Sequence, residues 1–96
     1  MSSPTLEELE NEVQKLIEEV LVDTNWASAY GHVESPDQGG HEGYFYITSR
    51  SVAGVHPMED FLSIRGAVQK VLLCAHTKSC TYNLDRGGKI DFDFED

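Results

Sequence analysis

Apolar side chains recur with two different periods along this chain. Spacing of three and four residues is typical of an amphipathic helix, and strict alternation is typical of a strand with one buried face. Helical spacing covers residues 5 to 22, where the apolar positions are Leu6, Leu9, Val13, Leu16, Ile17, Val20 and Leu21. Thr5 and Glu8 form a capping-box pattern at the start of this segment. We therefore predict a first helix over residues 5 to 22.

A second helix is predicted after Pro57, since proline is favoured in the first turn, where its missing N–H needs no partner. Glu59 and Asp60 would lie in that turn and favour the helix dipole. Its buried stripe would be Phe61, Ile64, Val68, Val71, Leu72 and Ala75. Cys74 borders the stripe, so we expect it to be a core or near-core residue.

Four segments are rich in residues that favour strands, namely 26–34, 44–48, 80–84 and 89–95. Glycine-rich residues 35 to 43 would form a long loop between the first two strands, and residues 85 to 88 a tight turn between the last two. Residues 49 to 55 read as a connector, with room for a short extra strand. The predicted fold is α+β, in the order α-β-β-α-β-β, as a single domain over residues 1–96. Its two helices would pack on one face of a four-stranded, mainly antiparallel sheet and leave the other face to solvent.

The last predicted strand alternates without a break. Ile90, Phe92 and Phe94 point to one side, and the carboxylates of Asp91, Asp93 and Glu95 point to the other. We call these three carboxylates the acidic ladder. Like charges along one strand face cost stability, so the ladder suggests a function in binding.

The charge balance points to a basic partner. Asp and Glu number 17 against 7 Lys and Arg, which gives a formal net charge of −10. Such a chain repels the phosphate backbone of nucleic acids and anionic membranes, so we expect it to bind neither directly. A basic protein surface would instead be attracted, and long-range attraction raises the rate of association.

Catalytic and metal-binding patterns are weak. The grouping Cys74, His76 and Cys80 fits no standard zinc spacing. No nucleophile elbow or phosphate-binding loop occurs, and the abundant carboxylates are not set in a pattern that implies a pocket. We therefore expect no catalytic residues, no metal site and no cofactor. A small enzyme that uses a histidine and a carboxylate in a pocket beside the second helix is the least favoured alternative.

The cellular setting follows from further absences in the sequence. No apolar run approaches the roughly 18 residues of a membrane span, and Met1 to Pro4 have neither the basic nor the apolar region of a secretory signal. Two cysteines are too few for a disulfide framework. We expect a cytoplasmic protein. Exposed strand edges could pair in a dimer, and the sequence does not decide between monomer and homodimer.

Several motifs, taken in order, resemble the YezG-like immunity (antitoxin) proteins of bacterial polymorphic toxin systems. They are the acidic first helix, the segment Asn25-Trp26-x₃-Tyr30, the strand Tyr44-Phe45-Tyr46, the second helix, and the closing segment from Gly88 to Glu95. The resemblance spans most of the chain, and its closing segment is the most specific part. The loop 36–43 and the region 74–80 match nothing in the family pattern.

The resemblance implies a non-catalytic cytoplasmic protein that binds a cognate toxin, often a nuclease, and neutralises it. In this hypothesis the toxin-binding residues are Asp91, Asp93 and Glu95, extended by Glu34, Asp37 and Glu42. Helix residues Glu12, Glu18 and Glu19 form an alternative docking face. The alternative function is an acidic adaptor, or a nucleic-acid mimic that occupies a basic DNA-binding protein.

Overall fold

The computed structural model describes residues 4–35, 43–58 and 62–95. In chain order its elements are α1 (Leu6–Val20), β1 (Trp26–Glu34), β2 (Gly43–Ser49), β3 (Val55–Pro57), α2 (Leu62–Ala75), β4 (Ser79–Asp85) and β5 (Asp91–Glu95). The predicted α+β class with two helices is confirmed. The sheet of the described residues has five strands instead of the four predicted, because Val55–Pro57, where the predicted connector meets the predicted second helix, forms β3.

All neighbouring strands are antiparallel, in the order β3-β2-β1-β4-β5. The first strand in the chain is therefore the central one, and the last, β5, lies at one edge. The β1–β2 ladder has an irregularity between Trp26 and Ser28, which brings Trp26 and Ala29 to the same side of the sheet. A tight turn joins β4 to β5, with the amide of Gly88 donating to the carbonyl oxygen of Asp85 at 2.8 Å.

Pro57 does not start the second helix, as the sequence predicted. It is the last residue of β3, where it pairs with Tyr46. Proline is tolerated in an edge strand because its missing N–H need not serve a ladder. The helix begins at Leu62, and the predicted first-turn residues Glu59 and Asp60, with Phe61 of the stripe, lie outside the described residues.

Helix α1 is close to its predicted span. The Thr5 hydroxyl oxygen accepts a hydrogen bond from the amide of Glu8 at 3.2 Å, as the capping pattern predicts. The helix ends at Val20, two residues before the predicted limit, and Leu21 follows as its C-cap. Leu21 is nevertheless fully buried, which explains why the apolar pattern continues past the last helical residue.

Both helices pack on the same face of the sheet, as predicted. The core consists of Leu9, Val13, Ile17, Leu21, Trp26, Ala29, Val33, Phe45, Ile47, Ile64, Val68, Val71, Leu72, Cys80, Tyr82, Leu84 and Ile90. Phe92 and Phe94 are partly buried against it. The apolar side of the last strand therefore faces the helices.

Cys74 is exposed, contrary to the expectation that it joins the core. The buried positions of α2 are Ile64, Val68, Val71 and Leu72, and Cys74 falls outside that stripe. Cys80 on β4 is the buried cysteine, and both thiols are free. Neither described helix is long and apolar enough to cross a membrane.

Candidate interaction face

The sheet face opposite the helices carries mostly polar and aromatic side chains. Side-chain alternation along each strand, together with the strand register, identifies the residues on this face. They are Ser28, Tyr30, His32, Glu34, Tyr44, Tyr46, Thr48, Val55, Pro57, Ser79, Thr81, Asn83, Asp85, Asp91, Asp93 and Glu95. We call this surface the open face. Among the described residues, no helix covers it.

All charged residues of the five strands are carboxylates, and all lie on the open face. They are Glu34, Asp85, Asp91, Asp93 and Glu95. No Lys or Arg occurs within any of the five strands. The seven basic residues of the chain lie on the helices and the connections. With His neutral, every formal charge on the open face is therefore negative.

A cluster of aromatic rings occupies the centre of the open face. Tyr30 and Tyr46 are direct cross-strand partners and stack with ring centroids 5.5 Å apart. His32 and Tyr44 form the next pair, stacked at 5.7 Å. Tyr44 and Tyr46, two residues apart on β2, lie 5.2 Å from each other. We call these four residues the tyrosine cluster. Tyr44 is 40% exposed, so the cluster is accessible to a partner.

Strand register aligns the tyrosine cluster with the acidic ladder. Tyr30 pairs with Asn83, and Asn83 pairs with Asp91. One row along, His32 pairs with Thr81, which pairs with Asp93. Two strand spacings separate the ends of each row, a distance of about 10 Å. One extended side chain or loop of a partner could thus touch both aromatic rings and carboxylates.

His32 contacts a carboxylate and a hydroxyl group of the open face. Its Nε2 lies 3.7 Å from a carboxylate oxygen of Glu34, and its Nδ1 lies 3.4 Å from the hydroxyl of Thr81. Its ring also stacks on Tyr44. These contacts position the imidazole between Tyr44 and the polar side chains of Glu34 and Thr81.

The predicted toxin-binding residues fall into two groups. The strand members Glu34, Asp91, Asp93 and Glu95 share the open face, with Glu34 and Glu95 in one row through Ser79. Asp37 and Glu42 lie outside the described residues. The acidic ladder is well exposed, as its alternating pattern predicts.

The carboxylates of the alternative docking face on α1 are all exposed. Glu12 and Glu19 border a shallow depression with Lys15 and Leu16, and the lysine partly offsets their charge. Glu18 points elsewhere and borders a second depression with Trp26 and Arg86. Arg86 is itself engaged, since its guanidinium lies 5.9 Å from the Trp26 ring centroid and donates to the Trp26 carbonyl oxygen at 3.2 Å.

Acidic charge continues from the ladder around the sheet edge onto α1. Gln14 donates to the carbonyl oxygen of Gly88 at 3.1 Å and accepts from the amide of Ile90 at 3.0 Å, which fixes the start of β5 against the helix. At this junction burial raises the pKa of Glu10, and the nearby carboxylates of Glu7 and Asp91 raise it further while Lys89 opposes them.

The buried ionisable groups lie on the other side of the sheet. Burial raises the pKa of the Cys80 thiol to about 12, and burial also raises the pKa of the Tyr82 hydroxyl above its usual range. Both groups therefore stay protonated at neutral pH, inside the core and away from the open face. No cluster of metal-binding side chains occurs among the described residues. The chemistry that the open face offers is electrostatic and aromatic contact.

Sequence reasoning identified the acidic ladder but not the tyrosine cluster. From the sequence alone, Trp26, Tyr30, Tyr44, Tyr46 and Tyr82 are equal candidates for interface anchors, because residue type does not separate core from surface. The structure places Trp26 and Tyr82 in the core and the other three on the open face. The two-residue spacing of Tyr30 and His32 with Glu34, and of Tyr44 with Tyr46, was the signal that could have found it.

No family model matches the sequence, and a search of curated proteins gives no match. The resemblance to YezG-like immunity proteins stays a prediction, and the argument for function depends on the open face.

Proposed function

We propose that this chain is a non-catalytic immunity protein that binds a cognate toxin through the open face and thereby neutralises it. The observation that carries the proposal is a sheet face with five carboxylates, an aromatic cluster and no Lys or Arg in its strands. An uncovered sheet face with this composition suits a partner whose surface is basic.

The proposed toxin is a nuclease. Enzymes that act on nucleic acids bind a polyanion, so their clefts are lined with Lys and Arg. Carboxylates at Asp91, Asp93 and Glu95 would meet those cations where phosphates otherwise lie. Opposite charge also accelerates encounter, which matters for an inhibitor that must act before the toxin does.

The tyrosine cluster adds aromatic stacking to the electrostatic contact of the carboxylates. Arginine guanidinium groups stack on aromatic faces as well as pairing with carboxylates. Tyr30, Tyr44 and Tyr46 therefore offer anchors for arginines of the partner, while other cations of the partner pair with Asp91 or Asp93 across the sheet. Aromatic residues are frequent among the side chains that dominate binding energy at interfaces.

The test is neutralisation of the product of the neighbouring gene. That product is expressed in bacterial cells with the wild-type chain or with the double variant Asp91→Lys and Asp93→Lys, and survival is scored. Both side chains are exposed on β5, so folding should persist, which circular dichroism checks. We expect the double variant to lose protection and to associate with the purified partner at least about tenfold more slowly at low salt.

A matched control carries the same charge change on α1, at Glu12 and Glu19, which are also exposed. Glu12→Lys with Glu19→Lys should protect cells as the wild type does. Loss of protection by this control alone would place docking on α1. If the neighbouring product is harmless and is a DNA-binding protein that the chain displaces from DNA, the alternative function as a nucleic-acid mimic replaces the immunity proposal.

A further inference from the structure

Strand β5 has an unpaired edge. Among the described strands it pairs with β4 alone and ends the sheet order. Every second N–H and C=O of an edge strand points away from its sheet, where it can pair with another extended chain. At the opposite edge β3 has only three residues and ends in Pro57, so it offers little for such pairing. The edge of β5 is therefore the better place to add a strand.

The two faces of β5 differ in what they would offer an added strand. The open face carries the three exposed carboxylates of the acidic ladder. The helix-facing side carries Phe92 and Phe94, which are half-buried and stack with ring centroids 5.8 Å apart at an interplanar angle of 8°. A strand laid beside β5 would cover the flanks of both rings. Its residues would have to alternate between basic and apolar to match.

A second copy of this chain does not match. Antiparallel pairing of two β5 strands about Asp93 would set Asp93 against Asp93 and Asp91 against Glu95. Like charges directly opposite each other in a sheet are destabilising. The acidic ladder thus discourages self-association at an edge that remains open to a basic chain.

We infer that the free edge of β5 accepts an extended segment of the partner as a sixth strand, with Lys or Arg opposite the acidic ladder and apolar residues beside Phe92 and Phe94. This inference rests on the proposed function and specifies how the partner is held. Main-chain hydrogen bonds would supply affinity, and the alternating side chains would supply selectivity.

The probe is a synthetic peptide of alternating arginine and valine, about seven residues long, which is a typical strand length. Two further versions carry N-methyl groups on alternate residues, one on the arginines and one on the valines. Only one of these sets can point its amides at β5, because amides alternate in direction along a strand. A peptide of the same composition, with its arginines and valines in separate blocks, controls for charge.

We expect the alternating peptide to bind and one N-methylated version to bind about tenfold or more weakly than the other, through the loss of several hydrogen bonds. Bound peptide should also slow hydrogen exchange at alternate amides of residues 91 to 95. The block peptide should give neither effect. Strand addition would be overturned if both N-methylated versions bind equally well, or if the block peptide binds as well as the alternating one. Unchanged hydrogen exchange in β5 on peptide binding would also overturn it.

The peptide experiment and the toxin experiment fail separately. A toxin that is neutralised through Asp91 and Asp93 without any added protection of the β5 amides would overturn strand addition and leave the proposed function in place. If the peptide adds to β5 but the protein protects no cell from the toxin, strand addition is supported and the proposed function is overturned.

Discussion

At the scale of single residues, Gly31 on β1 lies directly beside the buried ring of Tyr82 on β4. A Cβ atom at this position would clash with the Tyr82 hydroxyl oxygen and would lie 2.6 Å from the Tyr44 carbonyl oxygen. Tyr82 is fully buried and its hydroxyl has no hydrogen-bond partner among the described residues. The missing side chain of Gly31 therefore makes room for a large ring between the helices and the central strand.

Gly31→Ala should destabilise the fold. The methyl group would force Tyr82 or the β2 backbone to move, and overpacking of this kind costs about 1–3 kcal/mol in the free energy of unfolding. Urea denaturation followed by tryptophan fluorescence measures the change. Gly66→Ala is the matched control, because Gly66 lies within α2 and nothing is within 4 Å of its added Cβ.

The control should change stability in the opposite direction. Alanine in a helix interior is more stable than glycine by about 0.5–1 kcal/mol. A neutral or stabilising effect of Gly31→Ala would contradict the close approach of Tyr82 to β1.

Residue-scale packing also explains which part of the site the sequence left open. Tyr30 and Tyr82 are both tyrosines in segments of high strand propensity, and composition does not separate them. Their faces differ because Gly31, not Tyr30, is the partner of Tyr82 in the β1–β4 ladder. Strand pairing depends on contacts between distant parts of the chain. The sequence alone therefore predicts which face of the sheet each side chain occupies only at β5, where the alternation is unbroken.

At the scale of elements, the strong periodic patterns predicted both helices and the four longer strands. The three-residue β3 has too few positions to show a period, and its pairing with β2 depends on tertiary contact. Pro57 suits both a helix start and the end of an edge strand. The sequence predicted the helix start, and the pairing of Pro57 with Tyr46 on β2 shows that this prediction was wrong.

The Gln14 side chain joins α1 to the start of β5 through two hydrogen bonds, and its removal should destabilise this edge of the sheet. Gln14→Ala removes the acceptor of the Ile90 amide and the donor to the Gly88 carbonyl. Each hydrogen bond contributes about 0.5–1.5 kcal/mol, so we expect a loss of about 1–3 kcal/mol in the free energy of unfolding. Hydrogen exchange of the Ile90 amide should accelerate more than that of core amides.

Gln14→Glu is the informative companion variant. It keeps an acceptor for the Ile90 amide but cannot donate to Gly88, and it adds charge beside Glu10. We expect the Ile90 amide to stay partly protected in this variant. Equal exchange rates in the wild type and in Gln14→Ala would contradict a role of Gln14 in holding the edge that the partner is proposed to use.

At the scale of the whole molecule, the negative charge that favours a basic partner opposes folding. The chain carries a formal net charge of −10, and compaction brings those charges together. Positive side chains are absent from the five strands, so the open face has no internal compensation. A basic partner would relieve this repulsion on binding. The protein should therefore be more stable in its complex than alone, beyond what the area of contact provides.

The same imbalance predicts how stability depends on pH. Glu10 has a raised pKa in the folded chain, through burial and then through Glu7 and Asp91. A carboxyl group with a raised pKa binds protons more readily in the folded state, so protons stabilise the fold. Stability should therefore increase as pH falls through the folded pKa of Glu10, and this gain is complete below the unfolded value of 4.5.

Urea midpoints measured at low salt between about pH 7.5 and 5 test this sign. The wild type should become more stable toward the acidic end, and added salt at neutral pH should also stabilise it by screening like charges.

Glu10→Gln should be more stable than the wild type at neutral pH and less sensitive to pH. Glu12→Gln, an exposed change on the same helix, should have a smaller effect. A wild type that loses stability on acidification over this range, with Glu10→Gln behaving identically, would show that burial of Glu10 and crowding at the edge of β5 do not govern its pH response.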